Sequence, residues 1–227
     1  MQAEILTEIR QLNETLATIY KRRAVRKYKN KPVDKNLIEQ LLAAGRMASS
    51  AKNKQPWKFY VVTNKELIHI LSKDVWKKTF KDTMKKGVKG LLKVTSGLFY
   101  FAQSFDFSTF SDPVFYGAPV VIFITSPLSN NEWAKLDIGM CAQNIMLSAK
   151  SLGLDSCPVG FGKYVENTQH YSMLKIPETE TVELSIIVGY GDETPAIPKR
   201  EIDNATYISG GYTKLGKLPA EHFLESF

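Results

Sequence analysis

An α+β fold is what this sequence predicts, and three observations predict it. Residues 118–125 read APVVIFIT, a β-branched run without polar alternation, which is the pattern of a strand buried on both faces. Residues 182–189 show the same pattern nearer the C-terminus. Between them, residues 133–152 hold the longest helical spacing in the chain and stop at Gly153, which suits a left-handed cap.

The remaining elements follow in order. Ile5, Ile9, Leu12, Leu16 and Ile19 recur at helical spacing, with Asn13 before Glu14 placed to divide that helix by capping a second segment. The apolar stripe packs either on another copy of the chain or on this chain's own core. Pro32 and Asp34 mark a further start, since an aspartate caps free backbone donors, and Leu37, Ile38, Leu41 and Leu42 give that helix one apolar face. A polar turn, SSAKNKQPW at residues 49–57, leads into a strand at 58–63, and Asn64 then caps a helix carrying Leu67, Ile68, Ile70 and Leu71. Residues 76–90 are rich in lysine. Residues 98–116 crowd phenylalanine and tyrosine without a clean period, as either a cover over a flat ligand or plain core and interface. SCPVGFG at 156–162 is a short strand entering a glycine turn, a short helix around 167–174 stops before Pro177, and GYGDETPAIPKR follows the second buried strand. No repeat, low-complexity tract or Ser/Gly linker interrupts the chain. The expectation is one domain over residues 1–227, with 1–18 a helical extension and 201–227 an irregular tail.

Composition narrows the class. With 44% hydrophobic and 23% charged residues, a 227-residue chain has a soluble globular balance and buries a core without disulfides or metals. Its net charge of +7 favours acidic partners such as phosphates. Cys141 and Cys157 fit no CxxC or Cys/His metal spacing and read as inert thiols of a reducing compartment. Glu4 and Glu8 interrupt the first apolar residues, no signal peptide is visible, and no stretch approaches the ~20 apolar residues of a membrane helix. A cytoplasmic protein with no membrane partner is expected.

Two polar clusters carry the chemistry. KRRAVRKY at residues 21–28 places Arg22, Arg23 and Arg26 together, and forked guanidinium donors suit one phosphate dianion. Taken alone, such a cluster is more often a solvated basic patch. The turn at 49–57 offers small hydroxyls and the amides of Asn53 and Gln55, more donors than a mere connector needs. Gly160-Phe161-Gly162 and Gly189-Tyr190-Gly191 follow strands but lack a third glycine at the fingerprint position, which excludes a dinucleotide-binding Rossmann domain. Gly160 in Pro158-Val159-Gly160 instead lets a backbone N–H approach a ligand edge. His69, His170 and His222 are scattered without ligand spacing, and no hydrolase or phosphoryl-transfer motif appears. The lysines of 77–93 alternate with Met84, Val88, Leu91 and Leu92 at helical spacing, so they form the wet side of a helix rather than a nucleic-acid site.

KRRAVRKY, SSAKNKQPWKFYVV, APVVIFIT, AQNIMLSAKSLGLDSCPVGF and VGYGDETPAIPKR, in this order, resemble the nitroreductase-like flavoproteins from about Ile19 to Arg200. The resemblance implies a nitroreductase-like fold, a central mixed sheet flanked by helices in an intertwined homodimer, with FMN at the interface. It implies that Arg22, with Arg23 beside it, holds the phosphate and that Arg26 sits near the pyrimidine end. Ser50 and Asn53, with Ser49 beside them, approach from the partner subunit, while Gln55 and Trp57 hold that turn in shape. Pro158, Val159 and Gly160 line the ring, and Arg200, with Lys199, closes on the phosphate. Ala24 stands where the family commonly has serine, and Ser49 where proline is usual. The implied activity is an FMN-dependent oxidoreductase passing hydride from NADH or NADPH to a nitroaromatic, quinone or enone, with the flavin rather than a side chain as reactive group. Flavin fragmentation, reductive dehalogenation, or a non-catalytic flavin carrier are the alternatives on the same scaffold.

Overall fold

The computed structural model of the chain describes residues 13–85, 112–129, 132–198, 200 and 204–206, with the side chains of 83–85 set aside. Two compact units divide it, Met1–Lys21 with Pro195–Phe227, and Arg22–Thr194. In the first unit, helix α1 spans Glu14–Lys21. Asn13 caps it as expected, its Oδ1 accepting from the Leu16 N–H at 2.9 Å. Ile5, Ile9 and Leu12 of the predicted stripe lie outside the described residues.

The second unit runs α2 (Lys35–Arg46), β1 (Lys58–Val62), α3 (Lys65–Lys85), β2 (Val120–Pro127), α4 (Glu132–Ser151), β3 (Asp155–Val159) and β4 (Glu180–Gly189), with 3-10 segments at Ala51–Asn53, Gly160–Asn167 and Tyr171–Leu174. The caps stand where the sequence puts them. Asp34 Oδ1 accepts from the Asn36 N–H at 2.7 Å and Asn64 Oδ1 from the Leu67 N–H at 2.9 Å. Gly153 ends α4 at φ +74°, in the left-handed region. Helix α3 continues past Leu71 through Trp76 into the lysine-rich tract as one element of 21 residues. The rest of that tract and the aromatic crowd as far as residue 111 lie outside the described residues.

The sheet order is β1-β2-β4-β3, and every adjacent pair is antiparallel. This corrects the mixed sheet expected from the sequence. Helix α4 does return the chain so that β3 runs in the same direction as β2, but β4 inserts between them and opposes both. Among the described residues the one parallel pairing is the isolated bridge between Ala24 and Ser156.

Side-chain alternation along β2 fixes the layers. Val120, Ile122 and Ile124 face a core built with Leu41 and Leu42 of α2 and Ile138, Cys141 and Ile145 of α4. Val121 and Phe123 face the other way, onto Ile68, Leu71 and Val75 of α3 and Val165 and Leu174 of the 3-10 segments. The sheet is thus covered on both sides, which is why β2 is buried from Val120 to Ser126.

Candidate functional site

The first cluster lies along the outer edge of β3. The Val25 N–H donates to Ser156 O at 3.2 Å, and the Lys29 N–H to Tyr190 O at 2.8 Å, so residues 24–29 run as an irregular extra strip beside the sheet. Arg22, Arg23 and Arg26 are all half-buried there. Arg23 Nη1 donates to Arg22 O at 2.7 Å. Burial pushes the Cys157 thiol up, opposed by the positive charges of Arg26 and Arg22, which places both guanidinium groups beside β3. Among the described residues no carboxylate forms an ion pair with Arg22 or Arg26. The Ser156 hydroxyl, also buried here, has no partner among them.

Pro158 and Val159 end β3 one step further on, and Gly160 follows them. A Cβ added at Gly160 would meet nothing within 4 Å, so its backbone opens onto free space. The structure thus sets Arg22, Arg23 and Arg26 beside β3, the strand that ends in Pro158 and Val159 and leads into Gly160. The other glycine pair has a packing reason. A Cβ at Gly189 would meet the Tyr28 ring at 2.8 Å, and one at Gly191 the Asp155 carboxylate at 2.5 Å.

The second cluster, Ser49 to Asn53, sits elsewhere. The Ala51 N–H donates to both oxygens of Asp137 on α4, at 3.2 and 3.3 Å, and Ser49 Oγ lies 3.4 Å from Met140 Sδ. Lys52, Asn53 and Gln55 take positive φ values of 54°, 53° and 44°. Gln55 holds the turn in shape, its N–H donating to Ser50 Oγ at 3.0 Å and its Nε2 to Asn53 Oδ1 at 3.1 Å. Trp57 is buried in the core below. Asn53 is exposed and Ser50 half-buried.

Strand register sets the separation. The turn feeds Lys58, which pairs with Thr125 at one end of edge strand β1, whereas Ala24 and Ser156 lie at the opposite edge, level with Val188 and Val120. At ~4.8 Å between strands and ~3.4 Å along them, the two clusters are diagonal corners roughly 25 Å apart. Lys199 lies outside the described residues, and Arg200, which is exposed, belongs to the first unit.

A cleft of about 340 Å³ lies between the start of α3 and residues 112–118, lined by Lys65, His69 and Asp112 among others. None of the predicted cofactor residues lines it. Among the described residues no group of three His, Cys, Asp or Glu is placed to hold a metal ion, and no helix is long and apolar enough to cross a membrane. His170 is a structural histidine, its Nδ1 2.8 Å from Asp74 Oδ2.

Sequence reasoning missed two residues. Asp137 is 4% exposed on the apolar face of α4, between Ala134 and Ile138, and a carboxylate on a buried stripe was the available signal. Tyr116 places its ring centroid 6.0 Å from the Arg26 guanidinium carbon. Nothing local in the sequence marks that contact.

The model of the Nitroreductase family matches residues 19–190. A 4-nitrobenzoate reductase of Pseudomonas putida is 26% identical over 217 residues, covering 86% of this chain and 95% of that protein. The fold matches a nitroreductase with bound FMN from Bacteroides fragilis, at TM-score 0.68 and 23% identity over 87% of this chain and 100% of the other. It also matches an FMN- and NADPH-dependent nitroreductase from sphigopyxis sp. strain HMH, at TM-score 0.66 and 20% identity over 87% and 100% of the two chains. With the antiparallel sheet and helical layers described above, these matches establish the nitroreductase fold, and the extent of the family match means that the chain belongs to the nitroreductase family.

Proposed function

We propose that this chain is an FMN-dependent oxidoreductase of the nitroreductase type, working as a homodimer in the cytoplasm. The observation that carries the reading is the edge that gathers the half-buried Arg22, Arg23 and Arg26 beside β3, the strand that leads into Gly160, whose backbone has open space around it. That donor set fits a phosphate joined to a flat ring. Bound there, FMN would supply the redox chemistry, hydride transfer from NADH or NADPH to an electron-poor acceptor such as a nitroaromatic, quinone or enone. The 4-nitrobenzoate reductase of Pseudomonas putida supports a nitroaromatic acceptor.

The chain's own residues bind and orient. Arg22, with Arg23, would hold the phosphate through charge-assisted bonds, with Lys199 and Arg200 as further candidate donors. Arg26 places positive charge at the pyrimidine edge, where negative charge develops. Pro158 and Val159 would line the ring, and the open space at Gly160 would let its backbone N–H approach it. Ser49, Ser50 and Asn53 of a second copy complete the site, since one chain sets them at the far corner. An exposed apolar stripe beside that turn, Trp133, Leu136 and Met140 on α4 with Met47, supports a second copy covering this face.

The test is an absorbance spectrum of purified protein after FMN reconstitution, before and after anaerobic NADPH and NADH added separately. Flavin absorbance bleached by a nicotinamide and restored by an acceptor is expected. Protein that stays colourless after reconstitution overturns the reading, and bound FMN that no nicotinamide bleaches marks a carrier instead.

A further inference from the structure

The turn from Asp112 to Ala118 holds a bulky residue in a conformation that bulky residues avoid. Tyr116 has φ +55° and Gly117 φ +67°. Glycine adopts that region freely, whereas a tyrosine there is an outlier that persists only where its surroundings over-determine it. They do so here. The buried Asp112 carboxylate accepts from the Phe115 N–H and the Gly117 N–H, each at 3.0 Å. Asp112 O accepts from the Tyr116 N–H itself at 3.1 Å. Ser72 Oγ accepts from the Val114 N–H at 3.0 Å, and Phe115 is fully buried, edge-on to Phe123 at 5.8 Å.

What this clamped turn achieves is the aim of one ring. Tyr116 is half-buried, its centroid 6.0 Å from the Arg26 guanidinium carbon and its phenol oxygen within hydrogen-bonding reach of the same group. Cys157 Sγ meets Arg26 from the β3 side. The Arg26 backbone is fixed too, its N–H donating to Glu193 Oε1. Among the described groups near the ring are Arg26, Cys157 and Asp112, and burial pushes the phenol up to about 12, so it stays neutral at physiological pH and accepts from Arg26.

We propose that Tyr116 is a positioning residue that fixes the Arg26 guanidinium beside β3 and thereby sets the redox potential of the flavin bound there. This rests on the flavin reading above. An arginine side chain has many rotamers, and its charge stabilises a developing anion best when it is already in place. A face of the ring attracts the cation, and the phenol oxygen accepts one of its N–H groups. Loosening either contact lets the charge wander into solvent and makes the bound flavin harder to reduce.

The experiment is spectroelectrochemical titration of reconstituted wild type, Tyr116→Phe, Tyr116→Leu and Tyr116→Gly, with the dissociation constant of oxidised FMN measured in parallel. The expected midpoint potential falls in steps from wild type through Tyr116→Phe, which keeps the ring, to Tyr116→Leu, while the affinity for oxidised FMN stays within about threefold, because the phosphate contacts at Arg22 are untouched. Tyr116→Gly relieves the backbone strain, so it keeps or gains thermal stability yet shows the same low potential as Tyr116→Leu. Equal potentials in flavin-loaded wild type and Tyr116→Leu overturn this inference alone. Wild-type protein that takes up no flavin overturns it together with the functional reading.

Discussion

The backbone N–H of Val25 donates to the carbonyl of Ser156 across 3.2 Å, joining the arginine-bearing segment to the strand that ends in Pro158 and Val159. These residues are far apart in sequence, yet this bond and the Ala24–Ser156 bridge put the arginine-bearing segment alongside β3. Val25 itself is 1% exposed, so its side chain anchors the strip while the arginines on either side stay half-buried at the surface.

From that placement, Arg22→Ala weakens FMN binding by at least tenfold, since a hydrogen bond to a charged group contributes about 1.5–3 kcal/mol. The apoprotein's melting temperature changes little. Lys73→Ala, an exposed cation on α3, serves as the control and leaves affinity within about twofold. Calorimetric titration of FMN into both variants checks this.

Asp137 anchors the other corner. Replacing it with alanine orphans the Ala51 N–H and costs about 2 kcal/mol of folding stability, because bonds to a charged acceptor are stronger than neutral ones. Asp137→Asn keeps one acceptor oxygen and loses about half of that. Urea unfolding of the two variants separates the cases.

Glu180 makes stability fall in acid. Burial works to raise its carboxyl, but bonds from Lys58, Thr125 and Tyr60, at 2.6, 2.6 and 3.0 Å, outweigh burial and hold it below its ordinary value of 4.5. A depressed folded-state value means the unfolded chain binds the proton more readily. The contribution is complete above the unfolded value and is lost as pH falls through the folded one. Urea midpoints measured from about pH 6 to about pH 3 decline less steeply in Glu180→Gln than in wild type. Lys58 is 61% exposed, so its pair adds little and the two hydroxyl bonds carry most of the effect.

Gly162 has no room for a side chain. A Cβ there would lie 2.5 Å from the Cβ of Ser185 on β4, so Gly162→Ala costs about 2–3 kcal/mol by overpacking. Adding Ser185→Gly opens the space and recovers part of the loss, though it removes the bond from Ser185 Oγ to Val159 O. Melting temperatures of the single and double variants measure the coupling.

Local chemistry was legible in the sequence. Asp34 and Asn64 cap the helices they precede, Gly153 ends α4, and the β-branched run in β2 is buried on both faces, because each depends on near neighbours along the chain. The two polar clusters on which the proposed site rests stand out in the sequence by residue type and order. The strand order was not legible, since inserting β4 between β2 and β3 is a choice among distant partners that no local pattern encodes. Nor was the left-handed Tyr116, which needs the buried Asp112 and Ser72 to hold it. Gly189 and Gly191 kept their packing role hidden for the same reason, as Tyr28 and Asp155 approach them only in the folded sheet.

The claim on which the account stands is that one chain's arginine edge and another chain's Asn53 turn form each site. Co-expressed, differently tagged Arg22→Ala and Asn53→Gly chains, purified as the mixed dimer and titrated with FMN, test it directly. Because the two lesions fall together in one of the two shared sites, the mixed dimer should bind one FMN with wild-type affinity while both parent homodimers bind weakly. A mixed dimer as weak as its parents, or a monomer that binds FMN with full affinity, contradicts it.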